Sequence, residues 1–235
     1  MMEETAPTGP GTRLPARENR AFLQRAVRFM AVEARIGQFL DIGAGRFTAG
    51  NTHDVAQRRV PQCRVVYAGT EPAADAHARA LLTSSPEGAT GYIEGDLRQP
   101  REILGHPRFT EIIDLDRPVG LILIPVPHVV PGHAQARDNV RELLAALPSG
   151  SYLAASSFTL DYNSPQQVAI ARQTIARDQP EAHPRSRAEF AEFFTGLGLI
   201  GPGIVPVSEW LPEVPAHQRP SPEQIALLGA VGRKL

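Results

Sequence analysis

The sequence from Gly37 to Asn51, GQFLDIGAGRFTAGN, contains the strongest local signal for the fold. Residues 38–42 are mostly apolar, as in a short buried strand, and Gly43 stops that run. Glycine allows a tight turn with positive φ, and Asn51 or Thr52 can cap a following helix. A strand, a glycine turn and a helix start, in this order, predict an α/β domain of the nucleotide-binding type.

The rest of the chain alternates between helical and strand-like patterns. Apolar residues recur at helical spacing over residues 18–34, whereas VGLILI, from Val119 to Ile124, is apolar on both faces like a central parallel strand. Strands that alternate with helices predict a mostly parallel sheet with helices on both faces. We expect a disordered tail over residues 1–16 and a single domain over residues 17–235.

The charge of the chain is nearly balanced, with 24 basic and 25 acidic residues. This argues against nucleic acid or an anionic membrane as a partner, because both select a clustered basic face. Cys63 is the one cysteine, so an intramolecular disulfide is excluded. No secretory leader is recognisable, and the most apolar stretch, Val119 to Val130, is too short to span a bilayer. We expect a cytoplasmic protein with a small-molecule substrate, and these patterns leave a homodimer open.

The turn after the first strand has the pattern D-x-G-x-G, formed by Asp41, Gly43, Ala44 and Gly45. Open α/β sheets bind ligands at this edge, where glycines let a ligand approach main-chain N–H groups. A dinucleotide site would have a third glycine where Thr48 stands, whereas D-x-G-x-G is common in S-adenosylmethionine (SAM) enzymes. The Asp41 carboxylate would accept a hydrogen bond from an amino-acid ammonium or would fix the loop. A tight turn without a ligand is the alternative interpretation.

Acidic residues after the second and third strands are the next candidates for a nucleotide site. Residues 67–72 read YAGTEP, so Gly69 occupies the place where a carboxylate commonly binds ribose hydroxyls. Glu71, two residues later, would reach the ribose or would favour the positive end of the next helix. Asp96 would accept a hydrogen bond from the adenine amino group or would pair with Arg98 in a surface turn.

Candidate catalytic residues follow the fourth and fifth strands. His128 and His133 flank a turn after the fourth strand, where an imidazole is suited to act as a general base. A loop histidine bonded to the backbone is the alternative for both. Asp161 and Tyr162, after the fifth strand, would orient a substrate or cap a helix. The histidines lack a carboxylate at metal-binding spacing, and no G-x-S-x-G elbow indicates a hydrolase.

Several sequence blocks, in order, resemble a known family. They include ARENRAFLQRAVRFMA (residues 16–31), QFLDIGAGRFTAGNTHDVAQ (38–57) and RVVYAGTEP (64–72), followed by GDLRQPREIL, LPSGSYLAASS and GAVGRKL. From about residue 16 to its C-terminus the chain is similar to the actinobacterial S-adenosyl methyltransferase family, long catalogued as a domain of unknown function. The resemblance implies a class I methyltransferase fold, a seven-stranded and mostly parallel sheet with an antiparallel edge strand near Ile225 to Val231.

The same resemblance implies a cofactor, SAM, and roles for individual residues. The positions that match the glycine loop, the adenine site and the histidine after strand four are Asp41, Gly43, Gly45, Asn51, Asp96, Leu97 and His128. Two departures from the family pattern are visible. Gly69 replaces the acid of strand two, and family members usually have a further N-terminal segment ahead of the block at residues 16–31. A charge-assisted hydrogen bond to a ribose hydroxyl is worth roughly 1.5–3 kcal/mol, so its loss would weaken SAM binding.

Three functional hypotheses follow from these residues. The first is a SAM-dependent methyltransferase that acts on a small molecule in actinobacterial specialised metabolism. The second is a methyltransferase-fold enzyme that has lost SAM and promotes another reaction on a metabolite, such as ring closure by intramolecular displacement, or elimination. The third is a non-catalytic binding protein.

Overall fold

The computed structural model describes residues 10–43, 50–70, 82–127 and 130–235. Within them, the strands are β1 (Gln38–Ile42), β2 (Arg64–Gly69), β3 (Ala89–Glu94), β4 (Gly120–Leu123), β5 (Tyr152–Phe158), β6 (Leu197–Leu199), β7 (Val205–Pro206) and β8 (Leu227–Lys234). The α-helices of the same residues are α1 (Pro10–Arg28), α2 (Thr52–Arg59), α3 (Pro100–Gly105), α4 (Pro107–Ile112), α5 (His133–Ala146), α6 (Pro165–Asp178), α7 (Arg187–Glu192) and α8 (Pro222–Ile225).

The eight strands form one sheet in the order β3-β2-β1-β4-β5-β8-β6, and β7 also pairs with β8. Strands β1 to β5 run parallel to one another, while β8 runs antiparallel to β5, β6 and β7. The predicted mostly parallel sheet is confirmed. In the described residues, seven strands follow one another across the sheet, as predicted, and β7 is a further two-residue strand beside β8. The antiparallel strand β8 lies one position inside the edge, since β6 covers its far side.

The two faces of the sheet carry separate hydrophobic clusters, since successive strand residues point to opposite sides. Leu40 and Ile42 belong to one cluster and Phe39 to the other. The first cluster packs against α3, α4, α5 and α7 through Ile103, Phe109, Val140 and Phe190. The second packs against α1, α2 and the C-terminal segment through Phe22, Met30, Ala56 and Trp210. Helices therefore cover both faces, as predicted.

Helix α1 is tied to the C-terminal segment by a buried arginine. The Arg25 guanidinium donates to the carbonyl oxygens of Trp210, at 2.8 Å, and Val207, at 2.6 Å. The Trp210 ring is fully buried and meets Phe22 and Phe29 edge-on, with ring centroids 5.6 and 5.9 Å apart. The proline-rich stretch at residues 206–222, which reads as an edge loop, thus contributes a central core residue.

Some boundaries differ from those that the sequence suggests. Helix α1 begins at Pro10, so residues 10–16, which the sequence places in a disordered tail, are helical. The pattern predicts one helix from Ser186 to Leu197, but α7 ends at Glu192 and β6 begins at Leu197. Residues 1–9 and 71–81 lie outside the described part of the chain, and the helix predicted over residues 73–82 lies almost wholly in the second of these segments.

Candidate functional site

An open cavity of about 350 Å³ lies where β1, β2 and β3 end, at the carboxyl edge of the parallel strands. Open α/β sheets bind ligands at this edge, and small-molecule pockets commonly enclose roughly 300–1,000 Å³. Its lining residues are Ile42 and Gly43 from β1 and its turn, Gly69 and Thr70 after β2, Gly95 to Arg98 after β3, Pro125 and Val126 after β4, and Glu181. The topology therefore brings the predicted residues Gly43, Asp96 and Leu97 together.

Both the backbone conformation and the packing at position 43 require a glycine. Gly43 has φ of +76°, and its N–H donates to the Ala68 carbonyl at 2.8 Å. A Cβ atom at this position would lie 2.5 Å from Cγ2 of Val126, which is too close for a carbon contact. The positive φ predicted for this glycine is confirmed. Ala44 and Gly45, the other predicted turn residues, lie outside the described residues.

Asp41 lies beneath the turn and is not part of the cavity wall. Its side chain is buried, and its Oδ2 accepts a hydrogen bond from the Thr52 hydroxyl at 2.6 Å. Burial raises the pKa of the Asp41 carboxyl to about 7, although the Thr52 hydrogen bond and the Arg20 charge oppose this rise. Since Thr52 begins α2, Asp41 fixes the two ends of the loop. This is one of the two roles that the sequence leaves open for it.

Asn51 also lies behind the cavity rather than in its wall. Its Oδ1 accepts a hydrogen bond from Nη2 of Arg20, which α1 supplies, at 2.7 Å. The Asp54 carboxylate accepts from the N–H groups of Gly50, at 2.9 Å, and Asn51, at 3.0 Å. These bonds satisfy main-chain donors at the start of α2 that the helix itself leaves without acceptors. Asn51 therefore orders the return of the glycine loop in the described structure.

His53 and Tyr67 are also buried in this region, and sequence reasoning missed both. Together with Asp41, Asn51 and Thr52 they form what we call the polar cluster. The Tyr67 hydroxyl accepts from the His53 N–H at 2.9 Å and lies 2.7 Å from His53 Nδ1. Burial, followed by the Asp41 charge, raises the Tyr67 pKa well above its ordinary value. A signal was present, because Tyr67 is the register partner of Asp41 in the parallel pair β1–β2 and so shares its face of the sheet.

The end of β2 offers the cavity no carboxylate from the strand itself. Gly69 lines the cavity, and its carbonyl accepts a hydrogen bond from the Gly95 N–H at 2.9 Å. Thr70 follows it in the wall and is exposed. Glu71, the predicted substitute for the strand-two acid, lies outside the described residues, so its role stays a prediction.

Asp96 lines the cavity and is at the same time paired with Arg98. Its Oδ1 accepts from the Arg98 N–H at 2.8 Å, and its Oδ2 accepts from Nε of the guanidinium at 2.8 Å and from Nη2. These hydrogen bonds hold the pKa of the Asp96 carboxyl below its ordinary value. The structure shows the pair with Arg98, and the adenine role of Asp96 stays a prediction, in which a ligand would share this carboxylate with Arg98. The neighbouring Leu97 is buried and gives the cavity an apolar wall.

Glu181, between α6 and α7, is a cavity residue that sequence reasoning missed. It is exposed and lies in the cavity wall. No local pattern marks it, because its position depends on how the segment after α6 crosses the edge of the sheet. Only the tertiary structure brings it to the ends of β1, β2 and β3.

The predicted catalytic residues do not gather at this cavity in the described part of the chain. His128 lies outside the described residues, although Pro125 and Val126 just before it line the cavity. His133 is the first residue of α5, and its Nε2 lies 3.2 Å from Oε2 of Glu192 in α7. A catalytic role for His128 stays a prediction.

Asp161 and Tyr162 occupy positions that stabilise the fold. Oδ2 of Asp161 accepts a hydrogen bond from the Arg187 N–H at 2.6 Å, at the first residue of α7. Tyr162 is partly buried against the first hydrophobic cluster, and burial raises its pKa. Neither residue lines the described cavity. Asp161 caps α7, and helix capping is the alternative to substrate orientation that the sequence leaves open for it.

Comparison with known proteins agrees with this geometry. The sequence profile of a family described as S-adenosyl methyltransferase matches residues 1–235. The chain belongs to this family. SAM is accordingly the cofactor that the family assigns to it, and the role of the D-x-G-x-G sequence as its glycine loop stays a prediction. A comparison with curated proteins gives no match.

Solved structures place this family member among methyltransferase folds. A DUF574 family protein from Streptomyces avermitilis has 42% identity and a TM-score of 0.86, covering 93% of this chain and 83% of its own. A methyltransferase candidate from Thermobifida fusca has 37% identity and a TM-score of 0.83, covering 96% and 83%. The N-methyltransferase NodS from Bradyrhizobium japonicum, in complex with S-adenosyl-L-homocysteine, has 16% identity and a TM-score of 0.54, covering 97% and 89%. This last likeness concerns the fold alone.

The described residues fit the family cofactor in shape and in donor set. Gly43 lines the cavity at the end of β1, and its positive φ turns the chain there, at the edge where open α/β sheets bind ligands. Leu97 and Val126 supply apolar walls, and Asp96 supplies an acceptor. The fit is incomplete at the end of β2, where Gly69 provides no acid.

Proposed function

We propose that this protein is a SAM-dependent methyltransferase that acts on a small molecule. One observation carries the proposal: the cavity at the carboxyl ends of β1, β2 and β3 is formed by the glycine turn of a chain that belongs to the S-adenosyl methyltransferase family. Ligands of open α/β sheets bind at this edge. The cavity volume of about 350 Å³ suits the nucleoside part of such a cofactor.

Cofactor binding is assigned to residues around the cavity. Ala44 and Gly45 would present main-chain N–H groups beyond Gly43, whose own N–H is bonded to Ala68, while Asp96 and Leu97 would meet the adenine. SAM supplies an electrophilic methyl group when bound. The protein then has to hold the acceptor atom in line and exclude water, which is the larger part of catalysis by proximity.

The substrate-side chemistry needs at most one base. His128 is proposed for this role, because it follows β4 next to cavity residues and an imidazole titrates near neutral pH. Asp161 and Tyr162 are proposed as more distant residues that shape the substrate side. Asp161 would act through the position of α7, whose first N–H it caps.

The biological setting is proposed from the relatives. The two structures at 42% and 37% identity come from Streptomyces and Thermobifida, which supports a role in actinobacterial specialised metabolism. In the described parts of the chain, no helix combines the length and apolarity that crossing a membrane requires. We propose a cytoplasmic enzyme with a metabolite substrate, and neither nucleic acid nor membrane as a partner.

A second candidate function rests on a specific observation at the same cavity. Gly69 offers no carboxylate to a ribose, and Asp96 already binds Arg98 through both oxygens. A protein of this fold that no longer binds SAM could enclose a metabolite and promote ring closure or elimination with a single base. This alternative differs from the first in its ligand, which makes the two separable.

Calorimetry with SAM and S-adenosylhomocysteine separates these functions. The methyltransferase proposal predicts binding in the micromolar range, and Asp96→Ala should weaken it about tenfold by removing an acceptor. Asp138→Ala is the matched control, since Asp138 is a half-exposed carboxylate on α5 that pairs with Arg137 and Arg141 outside the cavity wall. The absence of binding at millimolar ligand would contradict the methyltransferase and favour the second candidate.

A further inference from the structure

At the end of β2, the cavity lacks a side-chain hydrogen-bond acceptor for the hydroxyls of a ribose. A ribose has two adjacent hydroxyls, and in nucleotide-binding sheets of this type an acid after the second strand commonly accepts hydrogen bonds from them. Here that place is taken by Gly69, which has no side chain, and Thr70 follows with a single hydroxyl. The part of the cavity wall that follows β2 therefore lacks the carboxylate that would bind the two hydroxyls.

Glu181 places a carboxylate at the same cavity from another element. Of the charged residues in the wall, Asp96 and Arg98 neutralise each other, whereas Glu181 has no hydrogen bond or salt bridge to any residue that the structure describes. An exposed carboxylate with no partner has unused acceptor capacity on both oxygens. Glu181 is thus available to a ligand in a way that Asp96 is not.

The segment that carries Glu181 is anchored on one side. Directly after α6 ends, a turn is closed by the Ala182 N–H, which donates to the Gln179 carbonyl at 2.8 Å. The buried Arg185 then donates its N–H to the Phe158 carbonyl, at 2.8 Å, and its Nη2 to the Val130 carbonyl, at 2.7 Å. These bonds hold the segment across the ends of β5 and of the loop after β4.

Helix α6, on the other side of Glu181, is loosely held. None of its 14 residues is buried, and Ile170 is 58% exposed. Glu181 therefore follows a weakly packed helix and precedes a fixed anchor. This arrangement lets the carboxylate adjust to a ligand without disturbing the core.

We infer that Glu181 accepts hydrogen bonds from the ribose 2′- and 3′-hydroxyls of the cofactor and so takes the place of the acid that Gly69 lacks. The inference rests on the proposed function, because it assumes an adenosine-bearing ligand in this cavity. It assigns nucleoside recognition to the segment between α6 and α7 as well as to the strand ends.

Competition between nucleosides for the S-adenosylhomocysteine site tests the assignment. Adenosine and 2′,3′-dideoxyadenosine differ in the two hydroxyls, so the ratio of their affinities reports recognition of the diol. The wild type should prefer adenosine by about tenfold or more, as one charge-assisted hydrogen bond implies. Glu181→Gln should lower the affinity for adenosine about tenfold and leave that for the dideoxy compound unchanged.

Two further variants complete the experiment. Asp178→Asn removes a carboxylate from the C-terminal end of α6, where Asp178 pairs with Arg177 and does not line the cavity, and it should leave the ratio unchanged. Glu71→Gln tests the rival acid. The inference is overturned if the preference for adenosine over the dideoxy compound persists in Glu181→Gln, or if only Glu71→Gln abolishes it. The methyltransferase proposal stands in both cases. A wild type that binds no S-adenosylhomocysteine overturns both.

Discussion

Asp41 is the residue whose chemistry differs most between sequence and structure. In the sequence it is the acid of a ligand-binding turn, and in the structure it is a buried carboxyl whose Oδ2 accepts a hydrogen bond from Thr52. Taking an isolated carboxylate out of water is costly, which is why its pKa rises to about 7. The Asp41 proton is therefore linked to the stability of the glycine loop.

The linkage predicts a pH-dependent difference between the wild type and Asp41→Asn. The folded pKa of about 7 exceeds the ordinary value of 3.8, so the folded state binds more protons between these values and the wild type loses stability as pH rises. The pKa difference corresponds to at most roughly 4 kcal/mol. Asparagine keeps an acceptor for Thr52 without a charge, so Asp41→Asn should be the more stable protein at pH 8.

Urea unfolding of both proteins from pH 4 to pH 8 measures this difference. The advantage of Asp41→Asn should shrink as pH falls below 7 and should nearly vanish near pH 4, where Asp41 is protonated in the folded state. Other titrating groups cancel in the comparison. A difference that stays constant across this range would contradict the raised pKa.

Helix α1 is the element that tertiary contacts define most strongly. Its apolar face covers the second hydrophobic cluster, and Arg25 fastens it to the carbonyls of Val207 and Trp210 from the far end of the chain. Buried carbonyls without donors are costly, so this guanidinium has a structural task. Arg20 of α1 also donates a hydrogen bond to Asn51, so the position of α1 affects the end of the glycine loop.

Arg25→Met should destabilise the fold by roughly 2–5 kcal/mol, because two buried carbonyls would lose their donors. Arg28→Met is the matched control on the same helix. Arg28 is 41% exposed and pairs with Glu213 at the surface, so this change should cost less than about 1 kcal/mol. Denaturant midpoints at equal slope give both values. Similar losses in the two variants would show that the buried bonds are unimportant.

Some elements were predictable at this scale and others were not. The sequence from Thr52 to Arg59 predicts a short helix, and α2 has these bounds, since its cap and its pattern are local. The sequence from Arg101 to Ile113 predicts a helix interrupted near Pro107, because proline lacks an N–H and clashes with the preceding turn, and the structure has this break between α3 and α4. Strand β6 was missed, since its three residues are a strand only through pairing with β8.

At the scale of the whole molecule, the cavity joins segments that are far apart in the chain. The ends of β1, β2 and β3, the loop after β4 and the segment after α6 all contribute to its wall. A ligand that binds these segments only when they are folded stabilises the whole domain through mass action. The apparent stability therefore reports occupancy of this cavity.

S-adenosylhomocysteine at about 100 times its dissociation constant should add roughly 2.7 kcal/mol to the free energy of unfolding. Thermal unfolding with and without the ligand measures the effect, and methionine at the same concentration is the control, since it lacks the nucleoside. A ligand that binds by calorimetry but leaves the melting temperature unchanged would argue against binding to the native cavity.

The candidate site was predictable in part. Gly43, Asp96 and Leu97 line the cavity because each lies within three residues of the end of a parallel strand, and such strand ends meet at one edge. Their roles in cofactor binding stay predictions. Asp41 and Asn51 were assigned to the same site, but the structure directs them into the polar cluster behind it. Strand position predicts the edge on which a residue lies and does not predict which way its side chain points.

The sequence by itself determined the type of fold, the glycine turn and the family, because these depend on local periodicity, on the backbone freedom of glycine and on ordered blocks along the chain. Only the tertiary structure decided which polar groups face the cavity and which are buried. Burial, pairing and pKa depend largely on neighbours that are distant in sequence, as Arg20 shows for Asn51, although the pair of Asp96 and Arg98 is local. Glu181 is the clearest case, since no pattern marks it and only chain packing brings it into the cavity wall.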